Sequence, residues 1–189
     1  MKTKMQVILQ TIAGELHTTL EELDDQELEA IKNAICKADK IFVAGAGRSL
    51  MMIRGFAMRL MHIGYIAYVV GETVTPAIAP GDLLIIASGS GDTDTLVSIA
   101  RKCKEIGADL ALITTNPVSA IGELANVIVR VKTISTKVNG SSCRSVQPGS
   151  STFEEAVLLI GDGLIANLVA DKDVSDVNAV LMSRHANLE

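Results

Sequence analysis

Two stretches, IFVAGAGRS at residues 41–49 and LLIIASGSGDT at residues 83–93, share one pattern. Each is a short apolar run that ends in a loop of Gly, Ser and Thr or Arg, and each is followed at once by apolar residues at helical spacing, over 49–63 and 93–106. Continuous apolar strands separated by helices are typical of a parallel sheet that is covered on both faces. The two stretches therefore predict an α/β fold.

Three further apolar runs extend this pattern to five strands. We expect strands at 65–70, 109–113 and 127–131, in addition to 41–44 and 83–87, and a last long helix at 152–169. A flavodoxin-like strand order, 2-1-3-4-5, would place the two Gly/Ser loops together where the strand order reverses, which is where ligands bind in open α/β sheets. The prediction is a three-layer αβα sandwich around a five-stranded parallel sheet.

The remaining segments are assigned around this core. Helical spacing predicts two extra N-terminal helices, over 3–23 and from Asp24 or Asp25 to Cys36, and a short helical turn at 119–124. We expect one domain of 189 residues, with N-terminal helices at 1–37, an α/β core at 38–170 and a polar tail at 171–189 near the active site. The irregular segment 132–151 is rich in Ser, Thr and Gly, and a loop of that length is expected to cover a site.

Composition narrows the possible partners. The formal net charge is −5 and no run of Lys and Arg stands out, so nucleic acid and anionic membranes are not expected partners. No uncharged apolar stretch reaches the ~18–20 residues of a membrane span. The three cysteines lack zinc-ligand spacing, and the first ten residues lack a signal-peptide core. We therefore expect a cytoplasmic protein with reduced thiols.

The two loops have the chemistry of a phosphate site. Glycine allows close approach of backbone N–H groups, and a helix N-terminus adds unpaired N–H donors and a positive dipole end. Hydroxyl donors come from Ser49, Ser88, Ser90 and Thr93. Either loop taken alone fits a simple turn and helix cap equally well, whereas the occurrence of both favours a phosphate ligand.

Competing nucleotide and hydrolase motifs are incomplete. The dinucleotide fingerprint needs a third glycine where this chain has Leu50, although Glu72 lies near the position of a ribose-binding acid, so a dinucleotide remains the weaker alternative. No Walker A motif is present. The sequence around Ser90 is not the G-x-S-x-G elbow of hydrolases.

At the two loops the sequence resembles the SIS (sugar isomerase) domain family. The stretches FAMRLMHIG at 56–64, QPGSSTFE at 147–154 and HANLE at 185–189 resemble the 6-phospho-3-hexuloisomerases of that family. The resemblance implies interconversion of D-arabino-hex-3-ulose 6-phosphate and fructose 6-phosphate, in the ribulose monophosphate pathway of formaldehyde fixation and detoxification. It also implies no metal and no other cofactor, a homotetramer, and functional coupling to hexulose 6-phosphate synthase.

The resemblance also assigns the site residues. It implies that phosphate binding involves both loops, through Gly47, Arg48, Ser49, Ser88, Gly89, Ser90 and Thr93. It implies that Glu154 is the catalytic base and that His62 and His185 are the histidines typical of the group. The chain departs from the family at one position of this loop. Members commonly read G-R-S-G, and Leu50 stands here in place of the last glycine, where its side chain would narrow the pocket.

A single carboxylate can move the carbonyl by taking and returning a carbon-bound proton through a cis-enediol(ate). Glu154 would do this, although a Glu in the first turn of a helix also fits a capping role. Histidine suits proton transfer between the sugar oxygens. His62 also fits a plain helix end, and His185 fits either a disordered tail or a residue that completes the site of a neighbouring subunit.

Two alternative functions remain open on the same scaffold. A phosphosugar-sensing SIS module of a regulator would keep both loops and could lack the base. Another aldose–ketose phosphate isomerase would keep the base and accept a different sugar phosphate. The presence of Glu154 and the absence of a DNA-binding segment in these 189 residues favour the phosphohexulose isomerase.

Overall fold

The computed structural model describes residues 2–133, 145–149, 151–170 and 177–188. The helices are α1 (Lys4–Glu21), α2 (Asp25–Lys37), α3 (Gly47–His62), α4 (Asp94–Ile106), α5 (Ser151–Ala170) and α6 (Val177–Met182). The strands are β1 (Ile41–Gly45), β2 (Ala67–Val69), β3 (Leu83–Ala87), β4 (Asp109–Thr114) and β5 (Val127–Arg130). Two helices precede the sheet, α3 and α4 follow β1 and β3, and within residues 2–133 no helix lies between β2 and β3 or between β4 and β5.

All five strands are parallel, and their order is β2-β1-β3-β4-β5. This confirms the predicted sheet and strand order. Strand β3 lies between β1 and β4, and each of its residues is buried. The register pairs Gly45 with Ala87, so the last residues of β1 and β3 are neighbours and the two Gly/Ser loops leave the sheet side by side.

Helices cover both faces of the sheet because successive strand residues point to opposite sides. On one face, Val43 and Ile85 pack with apolar residues of α2, α3 and α5. On the other face, Phe42 and Ile86 pack with the apolar side of α4. The result is the predicted three-layer αβα sandwich, with α1 added outside it against α5.

Residues 119–124 form consecutive turns, in which the N–H groups of Glu123 and Ala125 donate to the carbonyls of Ser119 and Ile121, four residues earlier. This spacing is that of the short turn of helix that was predicted there. Within the predicted polar tail, residues 177–182 form α6. Of the predicted long loop, residues 134–144 and 150 lie outside the described residues. Among the described helices, none is long and apolar enough to span a membrane.

Candidate active site

The start of α3 lies against the end of β1 at the position of Gly45. A Cβ added to Gly45 would lie 3.0 Å from the backbone nitrogen of Leu50 and 3.3 Å from the carbonyl oxygen of Ala87. No side chain fits there, so glycine permits the first turn of α3 to sit above the carboxyl ends of β1 and β3. The side chain of Leu50 packs against the core on the α3 side of the sheet.

Two helices that begin at this edge, α3 and α4, lack side-chain caps, whereas α1 and α2 have them. Thr3 caps α1, and Asp24 caps α2, through side-chain oxygens that accept backbone N–H groups. The N-cap residues of α3 and α4 are Ala46 and Thr93, and neither makes a side-chain cap bond. The first N–H groups of α3 and α4 therefore remain available for an anion.

The loop after β3 is folded so that its own hydroxyls hold its backbone. Ser88 Oγ accepts the N–H of Gly91 at 3.2 Å, and Ser90 Oγ accepts the N–H of Asp92 at 3.2 Å. Gly91 has a φ of +70°, and a Cβ there would lie 2.0 Å from Ser119 Oγ. Glycine is thus required at the tightest point of the loop.

The last residue of β4 and residues after it hold this loop from outside. The carbonyl of Gly89 accepts hydrogen bonds from the Thr114 hydroxyl at 3.1 Å and from the Thr115 hydroxyl at 2.7 Å. The Asp92 carboxylate accepts the N–H of Ala120 at 2.8 Å. The loop is therefore preorganised by the protein.

Helix α5 begins beside the same loop. A Cβ added to Gly89 would lie 3.4 Å from the ring of Phe153, which is fully buried. This contact places Glu154, the next residue, at the edge of the sheet where both Gly/Ser loops emerge. Three helix starts, those of α3, α4 and α5, therefore converge there.

Arg48 connects α3 to the first turn of α5. Its Nη1 donates to Ser151 Oγ at 2.7 Å and to Glu154 Oε2 at 2.9 Å, and its Nη2 lies 3.7 Å from Glu155 Oε1. The Glu154 side chain is 16% exposed, whereas that of Arg48 is 44% exposed. Among the described residues, Oε1 of Glu154 accepts no hydrogen bond. The site thus combines a shielded carboxylate with a cation that solvent reaches.

The two histidines meet each other but lie far from Glu154 within the chain. His62 is buried, and its ring stacks on that of His185 with centroids 5.4 Å apart. Burial first, then the charges of Arg59 and His185, lowers the pKa of His62 below its usual 6.5. Arg48 and His62 are at opposite ends of α3, about 20 Å apart at 1.5 Å of rise per residue.

Several residues of the site were not singled out as functional from the sequence. Ser151 and Gln147 lie in the QPGSSTFE stretch but were assigned no role, and Glu155 was not considered. Glu15 was also missed. The sequence feature that could have indicated Glu15 is a carboxylate on the same side of α1 as the apolar residues Ile12 and Leu16. Within the described ranges, no cluster of three or more His, Cys, Asp and Glu side chains could hold a metal ion.

Residues 34–158 match the SIS domain family. The chain is 40% identical over 178 residues to a 3-hexulose-6-phosphate isomerase from Bacillus subtilis, covering 94% of this chain and 95% of that protein. It is 38% identical over 182 residues to a 3-hexulose-6-phosphate isomerase from Mycobacterium gastri, and this similarity covers 96% of this chain and 89% of that protein.

A solved structure agrees with these relatives. A protein from Methanococcus jannaschii, whose crystal structure led to an inferred function of 3-hexulose-6-phosphate isomerase, superposes with a TM-score of 0.77 at 32% identity. The similarity covers 98% of this chain and 99% of that one. The resemblance derived from the loops and the three short stretches is thereby confirmed.

Proposed function

The chain belongs to the SIS domain family, and on that premise we propose that it is an isomerase that interconverts D-arabino-hex-3-ulose 6-phosphate and fructose 6-phosphate. One observation carries the proposal. The uncapped starts of α3 and α4 and the shielded Glu154 at the start of α5 converge at one edge of the sheet. An anion site beside a carboxylate is what proton abstraction from a phosphosugar requires.

The phosphate would lie between the two Gly/Ser loops. Backbone N–H groups at the starts of α3 and α4 would donate to its oxygens, together with the hydroxyls of Ser49 and Thr93. Neither hydroxyl makes a hydrogen bond among the described residues. The hydroxyls of Ser88 and Ser90 accept backbone N–H groups, which leaves their own protons free to be donated to phosphate.

Glu154 would move the carbon-bound proton. It takes the proton from C2, the C2–H electrons form the C2–C3 double bond, and the C3 carbonyl oxygen becomes the oxygen of a cis-enediolate. The proton of the C2 hydroxyl then passes to the C3 oxygen, which becomes a hydroxyl. Glu154 returns its proton to C3 as the C2–C3 double bond electrons form the new C3–H bond, and the carbonyl is left at C2 with Glu154 again a carboxylate. Arg48 holds Oε2 of Glu154, so Oε1 would face the substrate.

The histidines would exchange protons with the sugar oxygens. Because burial lowers the pKa of His62, its ring is neutral at pH 7 and can accept a proton. The length of α3 separates His62 and His185 from Glu154 of the same chain. We therefore place this histidine pair at the site of a neighbouring copy, within a cytoplasmic homotetramer that is functionally coupled to hexulose 6-phosphate synthase.

A coupled assay tests the proposal. Formaldehyde, ribulose 5-phosphate and hexulose 6-phosphate synthase supply the substrate, and fructose 6-phosphate is measured in the presence of a chelator. We expect turnover by the wild type and a fall in kcat of about 100-fold or more in Glu154→Gln, since general-base catalysis contributes about 10²–10⁴-fold. Glu105→Gln, an exposed carboxylate of α4, is the matched control and should retain wild-type turnover.

Two outcomes would change the assignment. Wild-type protein that binds fructose 6-phosphate without turning over the hexulose phosphate would instead be a phosphosugar-sensing module. Turnover that survives in Glu154→Gln would move the base to another residue.

A further inference from the structure

Glu15 of α1 is a buried carboxylate that, among the residues the structure describes, accepts its side-chain hydrogen bonds from one short segment. Its side chain is buried, with the residue 9% exposed. Oε2 accepts the Ser145 hydroxyl at 2.6 Å, and Oε1 accepts the N–H of Val146 at 2.9 Å. Among the described residues no Lys or Arg pairs with it. A buried carboxylate is costly unless it is well bonded, so Glu15 and the segment that donates to it depend on each other.

The segment held by Glu15 leads directly to the candidate active site. Ser145 Oγ also accepts the N–H of Gln147 at 3.0 Å, and the Gln147 amide donates to Glu155 at 2.8 Å. Glu155 in turn lies 3.7 Å from Arg48. One continuous set of polar contacts therefore runs from α1 to the guanidinium that holds Glu154.

A second route joins the same segment to the same arginine. The carbonyl of Pro148 accepts the Ser151 hydroxyl at 2.9 Å, and Ser151 Oγ accepts Nη1 of Arg48 at 2.7 Å. That nitrogen also donates to Glu154. Because both routes pass through residues 145–149, a shift of this segment would move Arg48 and Glu154 together.

We propose that Glu15 is a positioning residue of the isomerisation, which fixes residues 145–149 and through them the Arg48–Glu154 pair. The inference rests on the proposed function for its kinetic consequence. Its structural part, the anchoring of the segment by α1, stands independently. Glu15 does not itself contact the phosphate loops, so its loss should change the chemical step more than substrate binding.

The test compares Glu15→Gln with Glu21→Gln in the full chain. Glu21 lies on the same helix, is 65% exposed and pairs only with His17 among the described residues, so its variant should match the wild type. Glutamine has the size of glutamate but replaces one acceptor oxygen with a donor group. We expect Glu15→Gln to lower kcat roughly 10- to 100-fold, as small misplacements of catalytic groups do, with KM within about twofold.

A double variant identifies the route. The double variant combines Glu15→Gln with Ser145→Ala. If Glu15 acts through Ser145, the kcat of the double variant should be no lower than that of the slower single variant, because the effects of mutations at contacting residues do not add. Equal kcat in Glu15→Gln and wild type, with only a lowered Tm, would overturn the proposal and leave Glu15 a structural residue.

Hydrogen–deuterium exchange separates failure of this inference from failure of the proposed function. If the wild type has no turnover, the isomerase assignment fails, and exchange then decides the anchoring role. Faster exchange of the Val146 and Gln147 amides in Glu15→Gln than in Glu21→Gln would support it. Unchanged exchange at those amides would overturn it.

Discussion

His62 is a buried histidine, and two of its neighbours, Arg59 and His185, disfavour its charged form. Arg59 of its own helix lies 3.5 Å from Nδ1, and the His185 ring stacks on it. Arg184 of the tail donates to the His62 carbonyl at 3.4 Å. Burial is the largest cause of its lowered pKa, followed by the charges of Arg59 and His185. The ring is therefore neutral in the folded protein under conditions in which the unfolded chain becomes protonated.

This predicts an acid-dependent loss of stability. Between the usual pKa of 6.5 and the lower folded pKa, the unfolded state binds a proton that the folded state does not, so the free energy of unfolding falls as pH falls. The contribution of neutral His62 to the free energy of unfolding is fully present above pH 6.5 and is lost as the pH falls through the lower pKa of the folded protein. We expect wild-type Tm to drop more between pH 7.5 and 5 than that of His62→Gln, measured at one protein concentration.

The exposed histidine of α1 provides the control for that experiment. His17→Gln should follow the wild type, because the His17 side chain is 73% exposed. Parallel pH profiles for wild type and His62→Gln would contradict the prediction.

At the scale of elements, α5 packs closely on α3. Gly161 of α5 is buried, and a Cβ there would lie 3.0 Å from Cβ of Phe56 and 3.1 Å from Cδ2 of its ring. Gly163 lies on the same helix, two residues further on, and a Cβ there would have no atom within 4 Å. The contact that orients α5, and with it Glu154, depends on the absence of a side chain at one of these two positions.

Replacing each glycine by alanine should change the free energy of unfolding in opposite directions. Gly163→Ala is expected to stabilise the protein by about 0.5–1 kcal/mol, since alanine favours a helix interior over glycine. Gly161→Ala gains the same propensity but crowds Phe56, and overpacking of a core costs about 1–3 kcal/mol. Urea unfolding of both variants measures the difference. A stabilised Gly161→Ala would contradict a close contact between α3 and α5.

At the scale of the molecule, three of the described helices each carry two or more large apolar side chains outside the core. They are Met5, Val7 and Leu9 of α1, Met51, Met58 and Met61 of α3, and Leu158 and Leu159 of α5. Exposed apolar surface of this kind is typical of an interface with another protein. Along α3, Met51 lies three residues after Arg48 and Met61 lies next to His62, so its exposed apolar side chains extend from the candidate site to the histidine pair.

Subunit complementation tests whether two copies share a site. Glu154→Gln and His62→Gln are each expected to be weakly active. In mixed oligomers, an intact Glu154 from one copy would meet an intact His62 from the other. Random pairing makes half of the pairs mixed, with one complete site in each, so activity should recover to about a quarter of the wild type. Activity that remains the average of the two parents would place both residues in one chain's site.

Much of the candidate site follows from local sequence patterns. The Gly/Ser loops at 45–49 and 88–93 could be placed because a strand, a loop and a helix start are each encoded within a few residues. The separation of His62 from Ser49 could also have been derived, since 13 residues within one predicted helix cover about 20 Å. Helix length alone therefore indicates that His62 lies far from the first phosphate loop of its own chain.

The contacts of Glu15 could not be derived in the same way. Its partners Ser145 and Val146 are 130 and 131 positions away along the chain. The pattern of α1 indicates only which side of the helix is buried, and it leaves open whether that side faces the core or another subunit. A hydrogen bond between such distant residues depends on how α1 docks against α5.

By itself, the sequence determined the α/β class, the two phosphate-type loops and the family, because these depend on local periodicity, on glycines and on short motifs. The strand order was expected from the resemblance to known folds, and the tertiary structure established it. Only the tertiary structure decided that Arg48 pairs with Glu154, that His62 and His185 stack on each other away from that pair, and that α1 anchors residues 145–149. The physical reason is range: backbone preferences act over a few residues, whereas side-chain contacts between elements depend on the packing of the whole chain.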